Sequence, residues 1–230
     1  MSTRGYVICT TPRSGSNYLC ELLSSTGVLG KPREYFNAEG RRAHDDPTYP
    51  DDPREQFHWI LTMGSTPNGV YALKVFPGQH DRIAKTCSWT ELLPELKFVS
   101  LERRDVLGQA LSWTRVLQTG QYRSTVSAID RESYDAKLIK AVLRQLIVDR
   151  ARWSLFFART GIEALPVFYE DVVADPQREV DRIADFVGGC SPATIRPEAV
   201  EVSVQRDAVI EQWRDRFRAE RGGRDLIDPL

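Results

Sequence analysis

The stretch Tyr6-Val7-Ile8-Cys9-Thr10-Thr11-Pro12-Arg13-Ser14-Gly15-Ser16-Asn17 constrains this chain most. Four apolar residues run into a short loop of small polar ones, and a helix-like run follows, Tyr18-Leu19-Cys20-Glu21-Leu22-Leu23. A strand whose closing turn opens a helix is how α/β proteins hold phosphate. The unpaired N–H groups of the first helical turn and the helix dipole attract an anion. Gly15 lets the backbone come close to that anion. Ser14, Ser16 and Asn17 add side-chain donors, and Arg13 adds charge on a planar fork.

The same alternation continues. Short apolar runs predict strands at Tyr6–Cys9, Val70–Phe76, Lys97–Glu102 and Leu165–Tyr169. Between and after them, helices are predicted at Tyr18–Ser25, Arg54–Met63, His80–Thr86, Val106–Leu117, Tyr134–Arg159, Pro176–Val187 and Ala208–Arg221. This order argues for a parallel sheet covered by helices, which binds ligands at the carboxyl ends of its strands. Asp175-Pro176 reads as an N-cap and first helical residue, and Gly188-Gly189 closes that helix. The polar, proline-bearing Ala38–Asp52 reads as a loop or mobile flap, and Gly120–Arg131 as a second loop; both are expected to wall a substrate site. The first loop has the outline of a P-loop but lacks the Gly-Lys-Ser/Thr ending that reaches nucleotide phosphates and magnesium.

Composition narrows the classes. With 230 residues, 41% of them hydrophobic, one α/β domain spanning 1–230 is expected. A net charge of -1 exerts no general pull on nucleic acid. Cys9, Cys20, Cys87 and Cys190 show no metal-type spacing. The first strand begins almost at once, leaving no room for a signal peptide, and no apolar run is long enough to span a bilayer. A soluble, cytoplasmic protein is the expectation.

Two further constellations carry chemistry. In Phe98-Val99-Ser100-Leu101-Glu102-Arg103-Arg104-Asp105 a strand again meets a helix, with Asp105 as a natural N-cap, Arg103 at the carboxyl edge of the sheet and Ser112 further along the helix. Taken alone, either arginine could pair with a surface acid; beside the Arg13–Asn17 loop, they favour a second anion site. Leu165–Pro176 reads as a strand and an acidic turn, leading to an amphipathic helix with Val180, Ile183, Ala184 and Val187 on its buried face.

Together these motifs are identified with a family. A Pro-Arg-Ser-Gly-Ser-Asn loop, a strand–Arg-Arg-Asp–helix segment with Ser112, and a Tyr169-Glu170-Asp171…Asp175-Pro176…Phe186-Val187-Gly188 segment resemble, in this order, sulfotransferases that use 3′-phosphoadenosine 5′-phosphosulfate (PAPS). The bacterial trehalose 2-sulfotransferase-like branch is similar over nearly the whole chain, including Lys31-Pro32-Arg33-Glu34-Tyr35-Phe36, Leu73-Lys74, Gln205-Arg206-Asp207 and Trp213-Arg214-Asp215-Arg216-Phe217. The resemblance implies a P-loop-like parallel sheet flanked by helices, the sulfotransferase fold. It implies that Arg13, Ser14, Gly15, Ser16 and Asn17 grip the 5′-phosphosulfate, that Arg103 and Ser112 hold the 3′-phosphate, and that Glu34 is the general base. Arg13, with Lys74 as a further candidate, would meet charge on the departing phosphate. It implies a carbohydrate or other small-molecule acceptor, no metal, no nucleic acid and, at family level, a homodimer. One departure is Lys31, where the trehalose-sulfating members carry an acid.

Other readings stand beside these. Glu34 could be a solvated loop acid, and Lys74 could snorkel to solvent. His44, His58 and His80 read as structural or surface residues; Trp153–Phe157 reads as helix packing; Trp59, Trp113 and Tyr122 suit either core packing or ring stacking. The arginines from Arg214 to Arg224 read as a solvated helix face, or as a cover over the cofactor or a partner subunit. The rival functions are a P-loop small-molecule kinase and a catalytically silent nucleotide-binding module.

Overall fold

The computed structural model of the chain describes residues 3–120, 132–189, 192–202, 208–225 and 227–228. Tyr122, Cys190, Gln205-Arg206-Asp207 and all but the first residue of the Gly120–Arg131 loop lie outside the described residues, as does the side chain of His44. Four strands, β1 (Arg4–Cys9), β2 (Val70–Val75), β3 (Leu96–Glu102) and β4 (Leu165–Phe168), form a parallel sheet in the order β2-β1-β3-β4. Its helices are α1 (Ser16–Ser25), α2 (Ala38–His44), α3 (Pro53–Met63), α4 (Pro77–Ala84), α5 (Trp89–Leu92), α6 (Val106–Thr119), α7 (Ala136–Thr160), α8 (Tyr169–Ala174), α9 (Pro176–Val187) and α10 (Ala208–Arg221).

Period-two alternation along the inner strands sends side chains to two cores. Tyr6 and Ile8 of β1, with Val70, Ala72, Val99 and Leu101, pack beneath α1 and α9. Val7 and Cys9, with Tyr71, Leu73, Val75 and Phe98, pack on the other face against Phe57, Trp89 and Trp153. The amphipathic face expected of α9 is buried as drawn, at Val180, Ile183, Ala184 and Val187. Chain order reverses direction across the sheet between β1 and β3. A crevice at the carboxyl ends of these two strands is therefore the expected ligand position.

Several boundaries differ from expectation. Ala38–Asp52 is not wholly loop: α2 occupies its first half, because the Asn37 side chain accepts from Gly40 N and caps it. The remainder is tied down by Tyr49, whose hydroxyl donates to Tyr35 O at 2.7 Å. The acidic turn after β4 is itself the short helix α8, and α4 begins at Pro77 rather than His80, proline being well suited to a first helical position. Among the described residues no helix is long and apolar enough to cross a membrane.

Candidate functional site

The loop after β1 is braced from three sides. Thr10 Oγ1 donates to Leu101 O on β3 at 2.8 Å, which leaves Ser14 Oγ as donor to Thr10 Oγ1 at 2.7 Å. Trp153 Nε1 donates to Thr10 O at 3.0 Å, and the buried Gln109 amide donates to Thr11 Oγ1 and Pro12 O at 2.8 and 2.6 Å. Arg150 Nη2 donates to the other end of that amide, Gln109 Oε1, at 3.0 Å. The Ser14 hydroxyl is thus fully buried and spent on the strand, so its backbone N–H is what it can offer a ligand.

Past these anchors the backbone is strained. Arg13 has φ 59°, in the left-handed region that few side chains adopt, and Gly15 has φ 85°. Gly15 is required twice over, because a Cβ there would run into the ring of Tyr169. Among the described residues no side chain caps α1, so its first N–H groups face the carboxyl end of the central strand β1.

Two clusters flank this helix start. On one side Arg13 Nε donates to Ser112 Oγ at 3.2 Å. Arg103 sits at the end of β3, its guanidinium 5.0 Å from the Tyr169 ring centre. Its Nε is buried and, among the described residues, has no hydrogen-bond partner. Burial first, then the charges of Arg103 and Arg115, lower the pKa of Arg13, with Tyr169 acting in the opposite sense. Crowded, partly desolvated guanidiniums are what a bound anion relieves. Arg104 turns away, pairing with Asp171 at 2.7 Å and stacking on Phe168.

On the other side stands Glu34. Lys74 on β2 lies in register with Ile8 of β1, on the sheet face covered by α1, which sends its side chain inward. It is buried, so the solvent-reaching alternative does not hold. Lys74 Nζ is 2.9 Å from Glu34 Oε1 and donates to Asn17 Oδ1 at 2.6 Å and Ser16 Oγ at 3.4 Å. Gln79 Nε2 and Asn37 Nδ2 donate to Glu34 Oε2 at 3.1 and 3.2 Å. Burial would push the Glu34 carboxyl up; the charge and hydrogen bond of Lys74 and the two amides outweigh it and hold the pKa below its ordinary value. Glu34 is therefore a mostly enclosed carboxylate with three placed contacts, not a solvated acid.

The geometry gathers Glu34, Lys74, Ser16 and Asn17 in one cluster and Arg13, Arg103 and Ser112 in another, with Gly15 between. Sequence reasoning missed Tyr169, Gln79, Gln109 and Arg115 as parts of the site. Arg115, three residues after Ser112 on α6, was open to a helix-face argument; Gln79 and Tyr169 become neighbours only through the fold. His80 is a packing residue, set between Trp89, Trp153 and Phe156. Trp153 packs in the core, and Trp59 lies 5.3 Å from Tyr49. Among the described residues no group of three His, Cys, Asp or Glu side chains is placed to hold a metal ion.

Known proteins resemble this chain over most of its length. Residues 5–220 match the family model described as Stf0 sulphotransferase. The chain is 27% identical to a trehalose 2-sulfotransferase of Mycobacterium tuberculosis, covering 95% of this chain and 96% of that protein. It is 25% identical to a trehalose 2-sulfotransferase of Mycolicibacterium smegmatis, covering 96% and 97%. Among solved structures, a sulfotransferase from Alicyclobacillus acidocaldarius superposes with a TM-score of 0.52 at 16% identity, covering 96% of this chain and 93% of that one. A sulfotransferase domain from the curacin biosynthetic pathway gives 0.52 at 14% identity, covering 96% and 97%. At these identities the structural likeness speaks to the fold, which is the α/β sulfotransferase fold.

Proposed function

The chain belongs to the Stf0 sulphotransferase family, and from that premise we propose that it transfers the sulfuryl group of PAPS to a hydroxyl of a carbohydrate or glycolipid-like acceptor, with Glu34 as general base. The observation that carries this reading is the unbroken path from the Glu34 carboxylate through Lys74 to Asn17, at 2.9 and 2.6 Å. It links a proton acceptor to the helix start where an anionic donor would sit. A silent binding module has no use for such a link.

The site's chemistry suits the donor. Among the described residues, the unpartnered Arg103 Nε and the uncapped start of α1 are two separate anion-seeking features, matching two separate phosphates. Arg103 and Ser112 would hold the 3′-phosphate; Arg13, Gly15, Ser16, Asn17 and the Ser14 amide would hold the 5′-phosphosulfate. The donor supplies an activated sulfuryl group. The chain's residues position it and stabilise charge. Glu34 takes the proton from the acceptor hydroxyl as its oxygen bonds to sulfur. The sulfur–oxygen bond to the 5′-phosphate breaks, and its electron pair stays on the phosphate, facing the α1 amides and Arg13. Lys74 keeps Glu34 ionised and adds positive charge beside the transferred group.

The relatives' names direct the acceptor search to sugars, while the exposed Lys31 opens it to acceptors with an acidic group. The test is transfer of labelled sulfur from PAPS to a panel of neutral and acidic sugars and glycolipids. Glu34→Gln should lower transfer by roughly 10²–10⁴-fold, the usual worth of a general base, and leave affinity for the product 3′-phosphoadenosine 5′-phosphate (PAP) within about twofold. A fully active Glu34→Gln enzyme would overturn the base assignment. Tight PAP binding without transfer to any acceptor would favour a binding module.

A further inference from the structure

We propose that Arg214, on the last helix, keeps Arg103 available to the donor's 3′-phosphate by holding the Asp105 carboxylate away from it. This rests on the reading of Arg103 given above and adds a positioning residue outside the contact shell.

Asp105 stands two residues after Arg103, in the turn from β3 to α6. Its Oδ1 accepts from Gly108 N at 2.9 Å, capping α6, and from Arg214 Nη1 at 2.9 Å. Its Oδ2 accepts from Arg214 Nη2 at 2.7 Å. Arg103 Nη2 lies 3.7 Å from that same oxygen, too far for a hydrogen bond. Two guanidiniums therefore compete for one carboxylate, and Arg214 wins it with both prongs of its fork. Arg103 is left on the Tyr169 ring with its Nε unpartnered among the described residues.

The rest of the neighbourhood enforces this outcome. Trp213 and Phe217 of α10 are buried against Leu111 and Ile139, which fixes the helix register that presents Arg214. A Cβ at Gly108 would run into both the Asp105 carboxylate and the Arg214 guanidinium, so a glycine there admits the pair. Glu170 accepts from the backbone N–H groups of Arg104 and Asp105 at 3.0 and 3.2 Å and holds the turn from the other side. Glu211, exposed, is a second acid on Arg214 at 3.2 Å. Without Arg214, the nearest cation to Asp105 among the described residues is Arg103, about an ångström short of a charge-assisted hydrogen bond. Closing that gap would cancel the charge that a 3′-phosphate needs.

The experiment is calorimetric titration of PAP and of AMP into the wild type, Arg214→Gln, Asp105→Asn and the double variant. Asparagine is as good an N-cap as aspartate, so Asp105→Asn preserves the helix start. Arg214→Gln should lose roughly tenfold or more of its PAP affinity with AMP binding little changed. Adding Asp105→Asn to it should restore the preference for PAP. Arg214→Lys, which keeps charge without the fork, should fall between and serves if Arg214→Gln folds poorly. An undiminished preference in Arg214→Gln, an equal loss for PAP and AMP, or no restoration in the double variant would overturn the proposal. A wild type that does not prefer PAP over AMP would instead remove the Arg103 reading on which it stands.

Discussion

At the scale of single residues, the proposed base Glu34 is held ionised by its pairing with Lys74. A carboxylate mostly out of solvent would ordinarily drift toward its neutral form; here one ammonium and two amides keep it ionised. Because its folded pKa lies below the ordinary 4.5, its contribution to stability is fully present above about that pH and is lost as the pH falls through the lower folded value. Lys74→Met should reverse the balance, leaving burial to dominate and raising the Glu34 pKa. The acid limb of kcat/KM should then move to higher pH, as a pH–rate profile would read; an unmoved limb would separate Lys74 from the base. Glu34 was legible in the sequence only through the family resemblance, since an isolated glutamate in a loop carries no signal of its own. Lys74 was less legible still: a lysine ending an apolar strand reads as solvent-seeking until strand register places it at the level of Ile8 under α1.

At the scale of elements, the loop between β1 and α1 depends on close approach by α8. Gly15 carries two demands, a φ of 85° and the ring of Tyr169. Gly161, which ends α7, is also left-handed, with φ 69° and ψ 12°, and has nothing within reach of an added Cβ. Gly161→Ala should therefore cost only the left-handed backbone penalty, roughly 1–2 kcal/mol, and leave PAP affinity unchanged. Gly15→Ala should cost more in thermal unfolding and weaken PAP as well. Equal effects of the two would mean that Tyr169 does not brace the loop. The regular elements were readable because their signals are local: apolar alternation for the strands, Asp175-Pro176 and Gly188 for α9. The helix α2 was hidden because Gly40 and the neighbouring polar residues mask a cap supplied by Asn37. The helix α8 was hidden because its six residues follow β4 without a break.

At the scale of the whole molecule, strand order brings the site together. Placing β1 between β2 and β3 sets the Thr10–Asn17 loop, the Arg103 turn and Lys74 side by side, although they are far apart in sequence. No local pattern could name those neighbours; the class of sheet was readable, its order was not. A chain folded as one domain should unfold in one transition, with far-ultraviolet dichroism and tryptophan fluorescence coinciding. PAP at about 100 times its Kd should raise that stability by about 2.7 kcal/mol, a shift of roughly 5–11 °C for a chain of this size. Two separated transitions would divide the chain. The most direct test of the whole account is calorimetric titration of the wild type and Arg103→Ala with PAP, using AMP and ATP–magnesium as controls. The account predicts that PAP binds at least about tenfold more tightly than AMP, in keeping with a charge-assisted contact, and that Arg103→Ala abolishes the difference. Equal affinity for PAP and AMP, or a preference for ATP–magnesium, would contradict it and point to a kinase-like site instead.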